Sequence, residues 1–178
     1  MVATGVWTAR VLAQQHYELA LNVGLCGSFT TRFPPEAVVH VVSDRLAELG
    51  AEDDESFLTI HELQLLGENE SPFDGGAIVN GTPPENAALE NLPRANGITV
   101  STVHGNVRSI AAVVARVNPD IESMEGAAFM YACRVAGVPF AQVRAVSNMV
   151  EKRNRPAWRV AEAIQKLGRT VVEILDHA

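Results

Sequence analysis

Apolar and polar positions along the chain keep two rhythms. The stretch VWTARVLAQQ, Val6–Gln15, spaces its apolar residues for one helix face. YELALNVGLCGSF, which follows, reads as a buried strand ending in a Gly-rich turn. EAVVHVVSDRLAEL opens as a strand, and SFLTIHELQLL holds another. Between Gly67 and Pro93 the density of Gly, Pro and Asn predicts mostly loop. After that the pattern alternates: NGITVSTVHGN is a strand running into a turn, VRSIAAVVARV a helix, DIESME a strand and GAAFMYACRVAG a helix. PFAQVRAVSN is then a strand, and a long helix runs from about Pro156. Strands alternating with helices, several of them apolar throughout, predict an α/β fold with helices on both faces of a sheet.

Composition narrows the function. A length of 178 residues suits one domain with a sizeable core, and 47% hydrophobic with 20% charged residues is ordinary for a globular protein. The net charge of −7, with no block of Lys or Arg, argues against a nucleic-acid partner. Cys26 and Cys133 lie far apart without metal-ligand spacing, so two reduced, buried thiols are expected. The five histidines (His16, His40, His61, His104, His177) are scattered, and no metal site is expected. No apolar run approaches a membrane span of about 20 residues, and the N-terminus lacks a signal-peptide pattern, so the reading is cytoplasmic with no membrane partner.

In such sheets ligands bind outside the carboxyl ends of the strands. Four polar or Gly-rich clusters fall there: GLCGSF, STVHGN, SMEG and VSN. Glu125 stands where a strand hands over to a helix, whose positive end favours an ionised carboxylate. Two uses fit it equally, accepting hydrogen bonds from the two hydroxyls of a ribose or capping the helix. Asn148 offers an amide donor and acceptor into the same crevice, or stabilises a turn. GLCGSF lets a backbone approach a ligand, or only turns the chain; it lacks the spacing of a dinucleotide fingerprint, so no cofactor is expected. EKRNRPAWRV groups Lys152, Arg153, Arg155, Arg159 and Trp158, which suits an aromatic or acidic ligand tail, though the charge pattern alone favours a solvated helix start.

Together NVGLCGSF, ESMEGAA and VRAVSN resemble the purine nucleoside phosphorylase and nucleosidase superfamily, over most of the chain and most strongly from Glu122 onward. Within it, ESMEGAAF followed by RAVSNMVEKRNRPAW looks most like the futalosine hydrolases. The resemblance implies a phosphorylase/hydrolase-like three-layer fold with a central mixed sheet flanked by helices, and hydrolysis of the N-ribosidic bond of futalosine to release hypoxanthine. Methylthioadenosine/adenosylhomocysteine nucleosidase, purine nucleoside phosphorylase and a catalytically incomplete nucleoside-binding protein are the alternatives. It further implies that Glu125 holds the ribose, that Met124 packs under the sugar, and that Ser123 lines the same wall. Cys26, Gly27 and Ser28 fall in the glycine-rich loop beside ribose and nucleophile, and His104 and Arg108 where the base is contacted. Arg144 supports the site from behind. Arg153, Arg155 and Trp158 are suited to the carboxyphenyl tail of futalosine.

Two departures shape the expected chemistry. Asn22 and Leu25 stand where hexameric phosphorylases carry phosphate-holding Arg and Ser, which favours water as the acceptor. Asn148 stands where related nucleosidases carry a proton-donating aspartate; an amide donates a hydrogen bond to the base but transfers no proton. Family members also have strands ahead of the first helix, including a loop with the glutamate that activates water. Residues 1–178 are therefore expected to be a single hydrolase-like domain that is N-terminally truncated, and Glu52, Asp53, Asp54 and Glu55 read as a solvated acidic turn. Association into a homo-oligomer is expected.

Overall fold

The computed structural model describes residues 1–177. Its elements follow in the order α1 (Val2–Leu12), β1 (Ala20–Ser28), β2 (Val38–Leu46), β3 (Gly50–Asp53), β4 (Ser56–Thr59), β5 (Ile78–Val79), α2 (Ala87–Glu90), β6 (Arg94–Thr99), α3 (Val107–Val117), β7 (Ile121–Ser123), α4 (Gly126–Ala136), β8 (Phe140–Met149) and α5 (Val160–Asp176). The six-stranded sheet has the order β5-β2-β6-β7-β1-β8, and β2 also pairs with β8. Five strands thus close on themselves, with β5 appended. The sheet is mixed: β1–β8, β2–β6 and β6–β7 are parallel, while β1–β7, β2–β8 and β2–β5 are antiparallel.

Side chains alternate between the two faces of this curved sheet, as a period of two requires. Ala141, Val143 and Ala145 of β8 meet Ala163, Leu167 and Ile174 of α5. Cys26, Val39, Val41, Ala95, Ile121 and Val146, drawn from all five closing strands, pack together on the other face. Helix α4 buries Ala127, Phe129, Met130 and Cys133 with Phe73, Ile78 and Phe140, and α3 buries Val113 against Ile98 and Val100. Helices therefore lie on different sides of one mixed sheet, the architecture implied by the resemblance.

Three expectations about elements need adjustment. The last helix starts at Val160, because Arg155–Ala157 forms a 3₁₀ turn around Pro156 and Trp158 is extended (φ −74°, ψ 136°). The acidic turn is the tip of a small hairpin, whose first strand, Gly50–Asp53, is exposed throughout and left no apolar signal. The site clusters also do not line up along one row of strand ends. β7 runs antiparallel to β1, so SMEG arrives beside the middle of β1 rather than beyond its end.

A buried polar knot fixes how α4 leaves the sheet. Thr99 Oγ1 donates to Asp44 Oδ1 at 2.8 Å and accepts from the Ala127 N–H at 2.7 Å, while Gln142 Nε2 donates to Asp44 Oδ2 at 3.0 Å. Gly126 passes this carboxylate so closely that a Cβ there would collide with Asp44 Oδ2 and the Gln142 amide. Burial pushes the Asp44 carboxyl from its ordinary 3.8 up to about 6, against the hydrogen bonds from Gln142 and Thr99 and the charge of Arg144. A raised carboxyl stabilises the fold below its unfolded value and loses that contribution as pH climbs through 6. Relative to Asp44→Asn, the wild type should lose about 2 kcal/mol of stability between pH 4 and pH 7. The Asn amide meets Gln142 Oε1, which is buried without a partner, once that amide rotates. Urea unfolding of both proteins at the two pH values checks this; parallel behaviour refutes it.

Candidate active site

The one long cleft that gathers the sequence clusters has a volume of about 500 Å³ and runs along β1 from Asn22 to Gly27. Two strands flank β1 here. On one side β8 runs parallel, with Gly24 opposite Arg144 and, after a bulge, Gly27 opposite Asn148. On the other side β7 runs antiparallel, with Gly27 opposite Glu122, so Ser123, Met124 and Glu125 continue back toward Gly24. The cleft thus has two chemically distinct ends, separated by three strand residues, roughly 10 Å.

At the Gly24 end, Glu125 occupies the N-cap position of α4 but its side chain makes no capping bond. Ser123 Oγ and Thr99 Oγ1 serve the first helical N–H groups instead. The Glu125 carboxylate, 42% exposed, meets Arg144 Nη1 at 3.4 Å. The capping use of Glu125 is therefore not realised. Arg144 is itself only 2% exposed. Its Nη2 donates to Asn22 Oδ1, and its guanidinium crosses the bare Cα of Gly24, where a Cβ would overlap Nη1. Burial lowers the pKa of Arg144, and the carboxylates of Glu125 and Asp44 oppose that shift.

At the Gly27 end, Asn148 is held by its own neighbours. Its Oδ1 accepts from Ser147 Oγ at 2.8 Å and its Nδ2 donates to Met149 O at 2.9 Å, leaving one amide N–H for a ligand. Across Gly27, Glu122 is 4% exposed and uses both carboxylate oxygens on one residue: Oε1 accepts from the His104 N–H at 3.0 Å and Oε2 lies 2.6 Å from His104 Nδ1. Burial raises the pKa of the Glu122 carboxyl, and the bonds and charge of His104 pull it back. The Cys26 thiol is pushed up to about 12 by burial, so it stays protonated and offers no nucleophile at neutral pH. The segment after β8 closes this side. The Arg153 N–H donates to Gly105 O at 3.3 Å, and its guanidinium lies 5.3 Å over the Trp158 ring.

Cys26, Gly27, His104, Ser123, Met124, Glu125, Arg144, Asn148, Arg153 and Trp158 line this single cleft. Three predicted residues do not. The Ser28 hydroxyl is buried and turned away, donating to Thr30 O and accepting from the Thr30 N–H. Arg108 is exposed in the first turn of α3, past the Asn106 cap. Arg155 is exposed in the 3₁₀ turn, which carries its side chain off the cleft wall. Glu122 was missed as a site residue. Its position in an apolar strand just before SMEG, a carboxylate in a buried run, was the available signal.

The family model of the phosphorylase superfamily matches residues 1–178, so this closed mixed sheet belongs to an α/β protein of that superfamily. Futalosine hydrolase of Streptomyces coelicolor is 34% identical over 186 residues, covering 94% of this chain and 74% of that protein. Futalosine hydrolase of Thermus thermophilus is 33% identical, covering 94% and 73%. The chain belongs to the futalosine hydrolase family. Solved structures share the fold: the methylthioadenosine/adenosylhomocysteine nucleosidase of Neisseria meningitidis in complex with methylthio-immucillin-A superposes with TM-score 0.78 at 14% identity, covering 99% of this chain and 77% of that one. Futalosine hydrolase of Helicobacter pylori does so with TM-score 0.71 at 13% identity, covering 99% and 76%.

The contact between Gly24 and Arg144 makes a direct test. Gly24→Ala should destabilise the protein by about 1–3 kcal/mol through overpacking. Arg144→Met, which shortens the crowded group, should relieve part of that cost, giving a coupling of at least about 0.5 kcal/mol in a double-mutant cycle of urea unfolding. Additive losses would mean the two do not touch.

Proposed function

We propose that this chain is a nucleosidase that hydrolyses the N-ribosidic bond of futalosine and releases hypoxanthine, as a step in menaquinone biosynthesis, with residues 1–178 acting as one hydrolase-like unit. The observation that carries this reading is the two-ended cleft. A carboxylate for a sugar and an amide for a base stand a nucleoside's length apart over a strand without side chains at Gly24 and Gly27. The relatives named above support the particular substrate.

Glu125, oriented by Arg144, accepts hydrogen bonds from the ribose 2′ and 3′ hydroxyls, with Met124 and Ser123 under the sugar. The remaining Asn148 N–H supports the departing purine, and water adds to the anomeric carbon of an oxocarbenium-like state. Water is favoured over phosphate because the cation at this end, Arg144, already faces Glu125 and Asn22, and Leu25 donates nothing. Arg153 and Trp158 are suited to the carboxylated aromatic tail. The two cysteines, free and buried, suit a reducing cytoplasm. Self-association belongs to the same reading: Val2, Val6 and Trp7 of α1 and Tyr131 and Val135 of α4 leave exposed apolar surface for a second copy, to be checked by sedimentation.

Release of hypoxanthine from futalosine, compared with inosine and methylthioadenosine and with and without phosphate, tests the reading. Futalosine should be preferred and phosphate should not matter; a phosphate requirement or a thioadenosine preference would reject it. Glu125→Gln should lower kcat/KM on futalosine on the order of 100-fold or more. Arg153→Met should lower the futalosine-to-inosine ratio roughly tenfold, the worth of one charge-assisted hydrogen bond. Arg155→Ala should leave that ratio unchanged.

A further inference from the structure

The amide of Asn148 steadies a leaving purine but gives it no proton, and hypoxanthine leaves most easily as the neutral base. A proton donor is therefore wanted at the Gly27 end of the cleft. We propose that His104, clamped by Glu122, is the general acid that protonates N7 of the departing purine; this rests on the nucleosidase reading above.

The clamp sets the ring. Glu122 takes both the backbone N–H and Nδ1 of His104, fixing the position of residue 104 and the rotation of its imidazole together. With Nδ1 donating to the carboxylate, Nε2 is left as the nitrogen for a ligand, and it has no hydrogen-bond partner among the described residues. The ring edge packs on Phe29, centroids 6.0 Å apart.

The clamp also sets the location. A Cβ on Gly27 would lie 2.8 Å from Val150 Cγ2, 3.4 Å from Asn148 Nδ2 and 3.6 Å from the Glu122 Cγ, so the amide and the clamp lie within about 7 Å of each other beside the Val150 methyl. His104 and Asn148 line the same cleft. A base seated against the Asn148 N–H therefore lies in the same cleft that His104 lines. The charged groups around His104 are Glu122 on β7, which it contacts directly, Arg153, whose N–H donates to Gly105 O, and Glu151 in the same cleft; Glu48, whose carboxylate accepts the Ser101 N–H at 2.6 Å, stands on the neighbouring loop.

In the step, the imidazolium passes its Nε2 proton to N7 while the C1′–N9 bond breaks. The bonding pair moves into the purine, which leaves neutral. Water forms the new C1′–O bond and releases one proton to solvent, from which His104 is reprotonated. Glu122 is a positioning residue: it orients His104 and stabilises its charge.

His104→Gln keeps a donor toward Glu122 and removes the transferable proton. Its kcat/KM on futalosine should fall on the order of 100-fold or more, and the alkaline limb of the wild-type pH profile should vanish. On 4-nitrophenyl β-D-ribofuranoside, whose leaving group departs without protonation, its loss should be at least about tenfold smaller than on futalosine. Glu122→Gln should keep an alkaline limb but move it to lower pH, and circular dichroism with thermal unfolding of both variants checks that they fold. Equal losses on the two substrates, an alkaline limb retained by folded His104→Gln, or a pH-independent loss confined to 6-oxopurines would overturn the acid role. Those outcomes leave the nucleosidase reading standing. That reading itself falls if wild-type protein hydrolyses neither riboside, or if Glu125→Gln turns over futalosine normally.

Discussion

A guanidinium withdrawn from water must have its charge answered locally, and the cleft is organised around how Arg144 meets that demand. Its partners are the carboxylate of Glu125, the side-chain amide oxygen of Asn22 and, more distantly, the carboxyl of Asp44. Such a group fits beside β1 only because Gly24 has no side chain. The price of burying the charge is repaid in orientation: Glu125 is turned toward the cleft instead of onto its own helix. Since Thr99 and Ser123 serve the helix's first N–H groups, the carboxylate keeps its free oxygen lone pairs for a ligand.

The same economy of side chains recurs at the other end. The bare Gly27 makes room for the Val150 side chain, with Asn148 close by from β8 and Glu122 from β7. The bulge in β8 after Val146 is what brings Asn148, not Ser147, opposite Gly27, and Ser147 then fastens the amide from behind. Strand β1 acts as a spacer whose two glycines mark the two stations of the cleft. An ionic pair holds one station and a clamped imidazole with a tethered amide the other, so sugar and base meet different electrostatics within one pocket.

Much of the architecture was legible from periodicity. Helices α3 and α4 and strands β7 and β8 lie within a few residues of the apolar pattern, because the helices turn apolar residues toward the sheet and the two strands are buried on both faces. The exposed hairpin strand at Gly50–Asp53 was not, since its stability comes from pairing with β4 rather than from burial. The start of α5 was shifted because Pro156 is accepted equally by a helix start and by a 3₁₀ turn; here it sits in the turn, with Trp158 extended along the cleft.

For the site, the sequence by itself determined which chemical groups were available: the carboxylate of SMEG, the amide of VSN, the glycines of GLCGSF and the Arg–Trp segment, all short-range patterns bound to element ends. Only the tertiary structure decided which of them share a cleft. Ring closure of β2 on β8, the antiparallel course of β7 beside β1 and the bulge in β8 are contacts between residues far apart in the chain, with no local signature. They brought Glu122 to His104, whereas Ser28, Arg108 and Arg155 are held off the cleft by local structure, the bonds to Thr30, the Asn106 cap and the 3₁₀ turn. A side chain's type is written in one position, whereas its partners depend on strand register, which is set by the packing of the whole sheet.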